Sequence, residues 1–327
     1  MAKIVQCVPN ISEGRDIERI ETIVSPLRER KGFKLISYEP DADYNRTVIT
    51  LIGDAEAMKD PLLEMAKRAS ALIDMNVHEG QHPRMGAVDV VPFIPIQGIA
   101  MDECVNIARD FGESLNEQCD IPVFFYAEAK TMKNRRRLPN IRKGEFEGMK
   151  TKIKQEEWKP DHGSQSIHPT AGVTAVGARM PLIAFNIDLP TESETIAKKL
   201  SKAIRGSSGG FKFIQAGPAY LENRGHMQVT MNILNYKKNP LYRVLETIRM
   251  EARRFDLEIE TCEVVGLIPQ EAITETLKYY IEKDGKSLDE GLSLEEIKDL
   301  ACKHIGFRDF DESKIIEAHI EEGSDDR

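Results

Sequence analysis

The sequence predicts an α+β protein made of two copies of one βαββαβ unit. Two observations support this fold class. The order of strands and helices between residues 3 and 95 recurs between residues 181 and 267, without obvious sequence identity. The chain of 327 residues is also long enough for two domains that each bury a core. Further helices are predicted after the second unit.

In the first unit, β-rich segments alternate with segments whose apolar residues recur at helical spacing. The apolar residues of the first helix show this spacing: Ile17, Ile20, Ile23, Val24 and Leu27. The predicted strands are 3–9, 33–40, 46–53 and 88–95, and the predicted helices are 16–30 and 55–74. A turn at 41–45 makes the two middle strands a hairpin. A helix at 101–119 and a short strand at 121–126 follow.

The middle of the chain lacks a clear period. Residues 130–161 are basic and then mixed, and residues 160–177 are rich in Gly, Ser, Pro and Thr. We expect the second stretch to be a long linker that can also bind a ligand.

The second unit repeats the order of the first. Its predicted strands are 181–189, 211–219, 226–236 and 257–267, and its helices are 194–205 and 240–255. Residues 191–194 are typical of a helix N-terminus. The glycines of 206–210 resemble a phosphate-binding loop, but they follow a helix and lack the Lys-Ser/Thr ending, so we interpret them as a helix end. The C-terminal helices are predicted at 270–283, 294–304 and 313–322.

Alternation along the strands of the second unit predicts one polar sheet face. Gln228, Thr230 and Asn232 share a face, as do Asn186 and Asp188. In a βαββαβ unit both helices cover the same side, so these residues lie on the uncovered side. The two uncovered faces either form a polar channel by facing each other or meet solvent.

Composition excludes several classes of protein. The net charge is −9, with 45 basic and 54 acidic residues, which disfavours nucleic acid and anionic membranes as partners. We find no export signal and no apolar run of membrane-spanning length, so we expect a cytoplasmic protein. The five cysteines are scattered without C-x-x-C spacing, and we expect them to be reduced.

The candidate site is the loop that precedes the strand at 88–95. His78-Glu79-Gly80-Gln81-His82 matches the zinc-peptidase pattern H-E-x-x-H, which requires a helix. Pro83 disfavours a helical conformation at His82, and Gly80 weakens a helix by about 1 kcal/mol relative to alanine. The sequence therefore predicts a bent loop that presents His78, His82 and Arg84, with no bound metal.

Five separated blocks resemble the glutamate formiminotransferase family. They are residues 7–14 (CVPNISEG), 45–48 (NRTV), 82–90 (HPRMGAVDV), 177–179 with 184–187 (GAR and AFNI), and 228–232 (QVTMN). The resemblance runs in unbroken order from residue 3 to about residue 270.

The resemblance implies transfer of a formimino group from N-formimino-L-glutamate to N5 of tetrahydrofolate, giving 5-formiminotetrahydrofolate and L-glutamate, in histidine degradation. It implies two ferredoxin-like subdomains, residues 1–178 and 179–327, with facing sheets, helices outside and a tunnel between them. It also implies a homodimer, with tetrahydrofolate as co-substrate. Since the chain has no room for the cyclodeaminase domain of some relatives, we expect a separate cyclodeaminase to take the product.

The resemblance also assigns site residues. The family's catalytic histidine matches His82. Its folate-binding segment matches ten consecutive residues here: Gly163, Ser164, Gln165, Ser166, Ile167, His168, Pro169, Thr170, Ala171 and Gly172. His162 stands where the family has an aromatic residue. The basic residues Arg135, Arg136, Arg137, Arg142 and Lys143 either attract the glutamate tail of folate or form a solvated face.

One histidine suits this chemistry. The attacking amine loses a proton and the departing glutamate nitrogen gains one, and a group with a pKa of about 6.5 can do both near neutrality. We therefore expect His82 to accept the N5 proton and return it to the leaving amine.

Nine further polar residues are candidate substrate contacts: Asn10, Asp41, Asp43, Arg46, His78, Arg84, Asn186, Gln228 and Asn232. Several have structural alternatives. His78 either orients substrate or holds the loop. Arg84 pairs either with a donor carboxylate or internally with Asp89 or Asp74.

For the remaining candidates the alternatives are also structural. Asp41 and Asp43 are either acids that act with His82 or turn formers. Asn10, Gln228 and Asn232 either line a cleft or pack within the sheet.

Other functions remain as alternatives. The nearest is formyl transfer involving N-formyl-L-glutamate or 5-formyltetrahydrofolate, because amidine and formamide carbons differ by one heteroatom. A zinc peptidase and a folate-binding protein without turnover belong to other classes.

Overall fold

The computed structural model of the protein describes residues 3–320. The chain divides into two compact units between Arg179 and Met180. Within the described residues, no helix is both long enough and apolar enough to cross a membrane.

The N-terminal unit is built on a seven-stranded sheet. Its strands are β1 (Ile4–Cys7), β2 (Asn10–Ile11), β3 (Phe33–Asp41), β4 (Arg46–Asp54), β5 (Val88–Gln97), β6 (Val123–Ala127) and β7 (Thr174–Ala178). Both β1 and β2 lie between β4 and β5, β3 forms the edge beside β4, and β7 and β6 continue the sheet beyond β5. The pairs among β1–β5 are antiparallel, whereas β7 runs parallel to both β5 and β6.

Helices bury their apolar sides against this sheet. They are α1 (Ile17–Val24), α2 (Ala55–Leu72), α3 (Met101–Cys119), α4 (Leu138–Arg142) and α5 (Glu145–Lys152). Asp16 caps α1 by accepting from the Arg19 amide, and Asp54 caps α2 by accepting from two amides of its first turn. The predicted helices 16–30 and 55–74 are thus confirmed, each ending earlier than expected.

The predicted βαββαβ order is confirmed for strands β1 to β5. The prediction of a long linker at 160–177 is wrong for its last residues, which belong to β7, a strand inserted between β5 and β6. This strand (TAVGA) is buried at every position, so its sequence shows no alternation between polar and apolar residues. A Cβ at Gly177 would lie 2.5 Å from the Tyr126 ring, so the tight packing of β7 requires glycine there. The irregular stretch before it also contains the short helices α4 and α5.

The C-terminal unit has the same order. It comprises β8 (Ile183–Leu189), α6 (Glu194–Ile204), β9 (Ile214–Leu221), β10 (His226–Ile233), α7 (Leu241–Ala252) and β11 (Cys262–Val265). The sheet order is β11-β8-β10-β9, with all pairs antiparallel. Ser193 caps α6, as the sequence predicted. The predicted strand 257–267 is too long, because only Cys262–Val265 pairs with β8.

Two helices, α8 (Gln270–Lys283) and α9 (Leu294–His304), follow this sheet and pack on its core. The prediction of a third α-helix at 313–322 is wrong for the described part. Residues Glu312–Lys314 and Ile316–His319 form separate 3₁₀ turns, and Glu321 and Glu322 lie outside the described residues.

Candidate active site

The loop between α2 and β5 is not helical at residues 78–82, as the sequence predicted. Gly80 explains part of this shape. A Cβ at Gly80 would lie 2.3 Å from the Tyr44 carbonyl oxygen and 2.8 Å from the Asn45 Cβ. The loop therefore packs directly on the β3–β4 hairpin turn, and the helix that a zinc peptidase requires is absent there.

Asn45 joins this turn to the loop. Its backbone is left-handed, with φ 49°. Its Nδ2 donates to the Glu79 carbonyl at 2.8 Å, and its Oδ1 accepts from the Gly14 amide at 2.9 Å. Asn45 was not among the predicted site residues. Its place in a turn, directly before Arg46 in one of the family-like blocks, is the sequence signal that could have identified it.

His82 lies beside Arg46, the first residue of β4. The distance from Arg46 Nη1 to His82 Nε2 is 2.8 Å. A guanidinium can only donate, so His82 Nε2 accepts and its Nδ1 carries the proton when the ring is neutral. The Tyr44 ring stands 6.1 Å from the imidazole and 5.7 Å from the Arg46 guanidinium carbon. The structure thus brings together two of the predicted site residues.

This environment strongly disfavours the charged imidazole. Burial lowers the pKa of His82 most, the positive charges of Arg46 and Arg142 lower it further, and Asp41 opposes them, with a resulting pKa of about 3. Arg142 itself is neutralised by Asp89, to which its Nε donates at 2.9 Å. His82 is therefore a neutral ring at pH 7.

His78 holds the loop in place. Its Nε2 donates to the Asn45 carbonyl at 2.9 Å, and its Nδ1 accepts from Arg84 Nε at 3.2 Å. Burial is the largest cause of the lowered pKa of His78. Since both ring nitrogens are occupied, the geometry favours the loop-holding alternative.

Arg84 is occupied by internal partners. Its guanidinium pairs with Glu145 and Glu147 of α5 at 2.8 Å each, and it also donates to the ring and carbonyl of His78. All five N–H groups have acceptors, so a donor carboxylate would have to displace a glutamate.

The internal partners predicted for Arg84 are wrong. Asp89 instead pairs with Arg142, and Asp74 accepts from the Asn76 amide. The sequence could not identify the true partners, because Glu145 and Glu147 are more than 60 residues away.

Asp41 acts as a turn former. Its Oδ1 accepts from the amides of Asp43 and Tyr44 at 3.0 and 2.8 Å. Asp43 is exposed, and its carbonyl accepts from the Gln81 amide at 3.2 Å. Asp41 nevertheless pairs in register with Arg46 on the neighbouring strand, so its charge acts on the His82 site.

The predicted folate-binding segment contacts both ends of the loop. At the start of the loop, the Met75 amide donates to the Thr170 carbonyl at 2.8 Å, and Asn76 Nδ2 donates to the Pro169 carbonyl at 2.9 Å. At its end, Gly86 and Gly172 form an antiparallel bridge. A Cβ at Gly86 would lie 2.1 Å from the Val173 carbonyl oxygen, so this contact requires glycine.

The segment has an exposed half and a closed half. Residues 163–166 are exposed, whereas Ala171 and Gly172 are buried. In the closed half, His168 Nδ1 accepts from the Ala171 amide at 2.9 Å, which fixes a tight turn. His162, just before the segment, lies edge-on to Phe125 with 5.5 Å between ring centroids.

The remaining predicted contact of the N-terminal unit is Asn10. It is buried, and its Nδ2 donates to the Val8 carbonyl at 3.1 Å, where the chain passes from β1 to β2. This geometry favours its alternative role in packing the sheet.

In the C-terminal unit, the polar sheet face is occupied by an internal network. Gln228 is buried and donates to Asp188 at 2.8 Å and to Glu263 at 3.2 Å, and Arg308 pairs with both carboxylates. Asn186 Oδ1 accepts from the Met231 amide at 3.3 Å.

Asn232 lies beside this network. It is half-buried on β10, in register with Ala184 on one side and Gln215 on the other. Its side chain is thus partly accessible from the polar face, unlike that of Gln228.

The basic run is not uniformly solvated. Arg135 is completely buried, where it pairs with Asp161 at 2.6 Å and lies 5.1 Å from the Phe124 ring centroid. Arg136 and Arg137 are exposed. The interpretation of the whole run as a solvated face is therefore wrong for Arg135.

Comparison with known proteins agrees with the sequence blocks. Residues 4–179 match the family model described as the formiminotransferase domain, N-terminal subdomain, and residues 184–321 match that of the formiminotransferase domain. A glutamate formimidoyltransferase of Streptococcus pyogenes is 47% identical over 86% of this chain and 94% of its own. A glutamate formimidoyltransferase of Thermoplasma acidophilum is 41% identical over 89% of this chain and 96% of its own.

A longer relative shows the same likeness. The formimidoyltransferase-cyclodeaminase of Rattus norvegicus is 42% identical over 87% of this chain and 53% of its own length. These matches cover both units, and the chain belongs to the formiminotransferase family of transferases.

Proposed function

We propose that the protein transfers the formimino group of N-formimino-L-glutamate to N5 of tetrahydrofolate, as part of histidine degradation. The observation that carries the proposal is the position of His82. It is a neutral, half-buried imidazole on a loop whose two ends contact the predicted folate-binding segment, residues 163–172. The names of the similar glutamate formimidoyltransferases support the donor.

A neutral imidazole suits the first step. N5 of tetrahydrofolate attacks the amidine carbon, a C–N5 bond forms, and His82 accepts the proton that N5 loses. At pH 7 the ring is already in its neutral form with Nε2 unprotonated, because its pKa is about 3. His82 can therefore act as a base as soon as its lone pair is free.

The second step uses the same proton. The tetrahedral intermediate collapses, the bond between carbon and the glutamate nitrogen breaks, and the protonated His82 returns its proton to that nitrogen. One proton thus moves from N5 to glutamate, and no other reactant is required. An imidazolium with a lowered pKa is a strong acid, which favours this return.

The folate segment would hold the acceptor. Its exposed residues 163–166 offer backbone N–H groups and the hydroxyls of Ser164 and Ser166, which lie 2.9 Å apart. Its closed turn at His168 fixes these residues relative to the loop through Gly172. Tetrahydrofolate bound there would lie beside the His82 loop.

The proposal extends to the organisation of the enzyme. Residues 1–178 and 179–327 would form two ferredoxin-like subdomains, in a cytoplasmic homodimer. The product 5-formiminotetrahydrofolate would pass to a separate cyclodeaminase, an activity that some relatives carry in the same chain by name.

Turnover with purified protein tests the proposal. Tetrahydrofolate is incubated with N-formimino-L-glutamate or with N-formyl-L-glutamate, and the folate absorbance is followed. We expect rapid reaction of the formimino donor and slow reaction of the formyl donor. No reaction with the formimino donor would overturn the assignment, and faster reaction of the formyl donor would favour formyl transfer.

Variants of His82 test its role. His82→Asn should lower kcat by about 10²- to 10⁴-fold while tetrahydrofolate binding, measured by calorimetry, stays unchanged. The matched control is His304→Asn, in α9 of the other unit. Near-normal turnover of His82→Asn would remove His82 from the mechanism but leave the reaction itself in place.

A further inference from the structure

Arg46 is an unbalanced cation beside the proposed catalytic base. No carboxylate among residues 3–320 lies within ion-pair distance of its guanidinium, although Asp41 and Asp89 attract it from further away. Its Nε is buried without a hydrogen-bond partner in the described part of the chain. Burial is the largest cause of its lowered pKa. The site thus holds a positive charge that a bound anion would stabilise.

Neighbouring arginines differ from it. Arg142 pairs with Asp89, and Arg84 pairs with Glu145 and Glu147. Arg46 instead donates a hydrogen bond from Nη1 to a neutral acceptor, the imidazole of His82. Of the three, it is the one whose charge is available to a ligand.

The hydrogen bond between Arg46 and His82 interferes with the proposed reaction. Arg46 Nη1 occupies the lone pair of His82 Nε2, and the other ring nitrogen carries the proton. In this state the ring has no free lone pair with which to accept a proton from N5. The base is therefore blocked until Arg46 moves or finds a better acceptor.

We propose that Arg46 binds a carboxylate of the formimino donor and that this pairing releases His82 Nε2 to act as the base. A carboxylate competes well, because hydrogen bonds between a guanidinium and a carboxylate are about twice as strong as those to a neutral acceptor, and the planar fork binds both oxygens. The inference rests on the proposed function, which requires a donor with two carboxylates.

The charges around His82 also support release of the base when a donor carboxylate binds Arg46. The charge of Arg46 is the second cause, after burial, of the lowered pKa of His82. A carboxylate on Arg46 compensates that charge, while Arg142 and Asp41 remain as they are. The basicity of His82 then rises only when the donor is present, which protects the site from unproductive protonation.

The arrangement also predicts donor selectivity. A formimino compound without a carboxylate would leave Arg46 on His82, so it would be a poor substrate even where it fits the site. The effect would appear in kcat as well as in KM, because the carboxylate changes the base and does not merely add binding energy.

The test uses glutarate, a dicarboxylate that cannot react, and glutaramide, its uncharged analogue. The imidazole ¹⁵N shifts of His82 report both the protonated nitrogen and the pKa. In the free wild-type protein we expect the Nδ1–H form and a pKa far below 6.5. Saturating glutarate should raise that pKa by about one unit or more, and glutaramide should not.

Two variants assign the effect to Arg46. Arg46→Gln should weaken glutarate binding about 10- to 100-fold and should raise the His82 pKa before any ligand is added. Arg46→Lys keeps the charge without the planar fork, so it should retain the low pKa while binding glutarate more weakly. Arg28→Gln is the matched control, because Arg28 also stacks on a tyrosine, Tyr38, but on the surface.

The outcomes separate the two proposals. A His82 pKa that does not respond to glutarate, or unchanged glutarate affinity in Arg46→Gln, would overturn the role of Arg46 even if the wild type transfers the formimino group. A response to glutarate without formimino transfer would retain the dicarboxylate site and overturn the proposed reaction.

Discussion

Asn45 Nδ2 donates a 2.8 Å hydrogen bond to the carbonyl of Glu79, so a side chain of the β3–β4 turn holds the loop that carries His82. The same amide group accepts from Gly14, and the Asn45 carbonyl accepts from His78. Three separate segments of the N-terminal unit therefore meet at one residue. The placement of His82 beside Arg46 depends on this contact.

Asn45→Asp should loosen the loop. The aspartate keeps the left-handed backbone and the acceptor for Gly14, but it loses the donor to Glu79 and places a negative charge against that carbonyl. We expect a loss of about 1–3 kcal/mol of unfolding free energy and a fall of about tenfold in kcat/KM. Urea denaturation and steady-state kinetics measure the two effects. Asn223→Asp, in the exposed turn between β9 and β10, should change neither quantity.

Gly80→Ala tests the close approach of loop and turn. The added Cβ would lie 2.3 Å from the Tyr44 carbonyl oxygen, so the loop must shift and His82 with it. We expect kcat to fall by about 10²-fold, since a displacement near 1 Å is enough for such a loss. Gly148→Ala in α5 has open space around its Cβ and should be neutral or slightly stabilising. Equal activity of the two variants would show that the contact does not position His82.

The hydrophobic pattern of the sequence predicted the repeated βαββαβ order well. Elements such as α2 and β10 pack their apolar residues on one face, so these residues recur at helical or strand spacing in the sequence. The pattern failed for β7, whose five residues are all buried. The prediction of a third C-terminal α-helix, made from local helix propensity, was also wrong, because the described part of that segment forms 3₁₀ turns.

The site was predictable in part. Pro83 and Gly80 exclude a helix at His82, and the structure agrees. The contact between His82 and Arg46 was not predictable, because it spans 36 residues and depends on the pairing of β3 with β4. The burial of Arg135 was equally unpredictable from the sequence, since the two basic residues that follow it, Arg136 and Arg137, are exposed.

Arg135→Met tests that burial. The change leaves Asp161 without the partner that lies 2.6 Å away, in a position where both side chains are buried. Breaking a buried ion pair costs about 3–5 kcal/mol, so we expect a large fall in the unfolding free energy. Arg136→Met removes the same charge from an exposed position and should stay within about 0.5 kcal/mol of the wild type. Similar losses in both variants would contradict a structural role specific to Arg135.

His82 also makes stability depend on pH. Its pKa is about 3 in the folded protein and about 6.5 in the unfolded chain, so between these values the unfolded chain binds more protons. The contribution of His82 to stability is therefore present above about pH 6.5 and is lost as the pH falls towards 3. The full effect would be about 1.4 kcal/mol per pH unit, and screening of the partly buried ring reduces the loss by pH 4.5 to about 1–2 kcal/mol.

Urea denaturation between about pH 7 and 4.5 measures this loss. The difference in unfolding free energy between the wild type and His82→Asn should shift in favour of the variant as the pH falls, because asparagine does not titrate. Arg46→Gln removes the second-largest cause of the lowered pKa and should flatten the dependence. A difference that stays constant over this range would mean that His82 takes up its proton equally in the folded and unfolded chains, so burial and Arg46 would not lower its pKa in the folded protein.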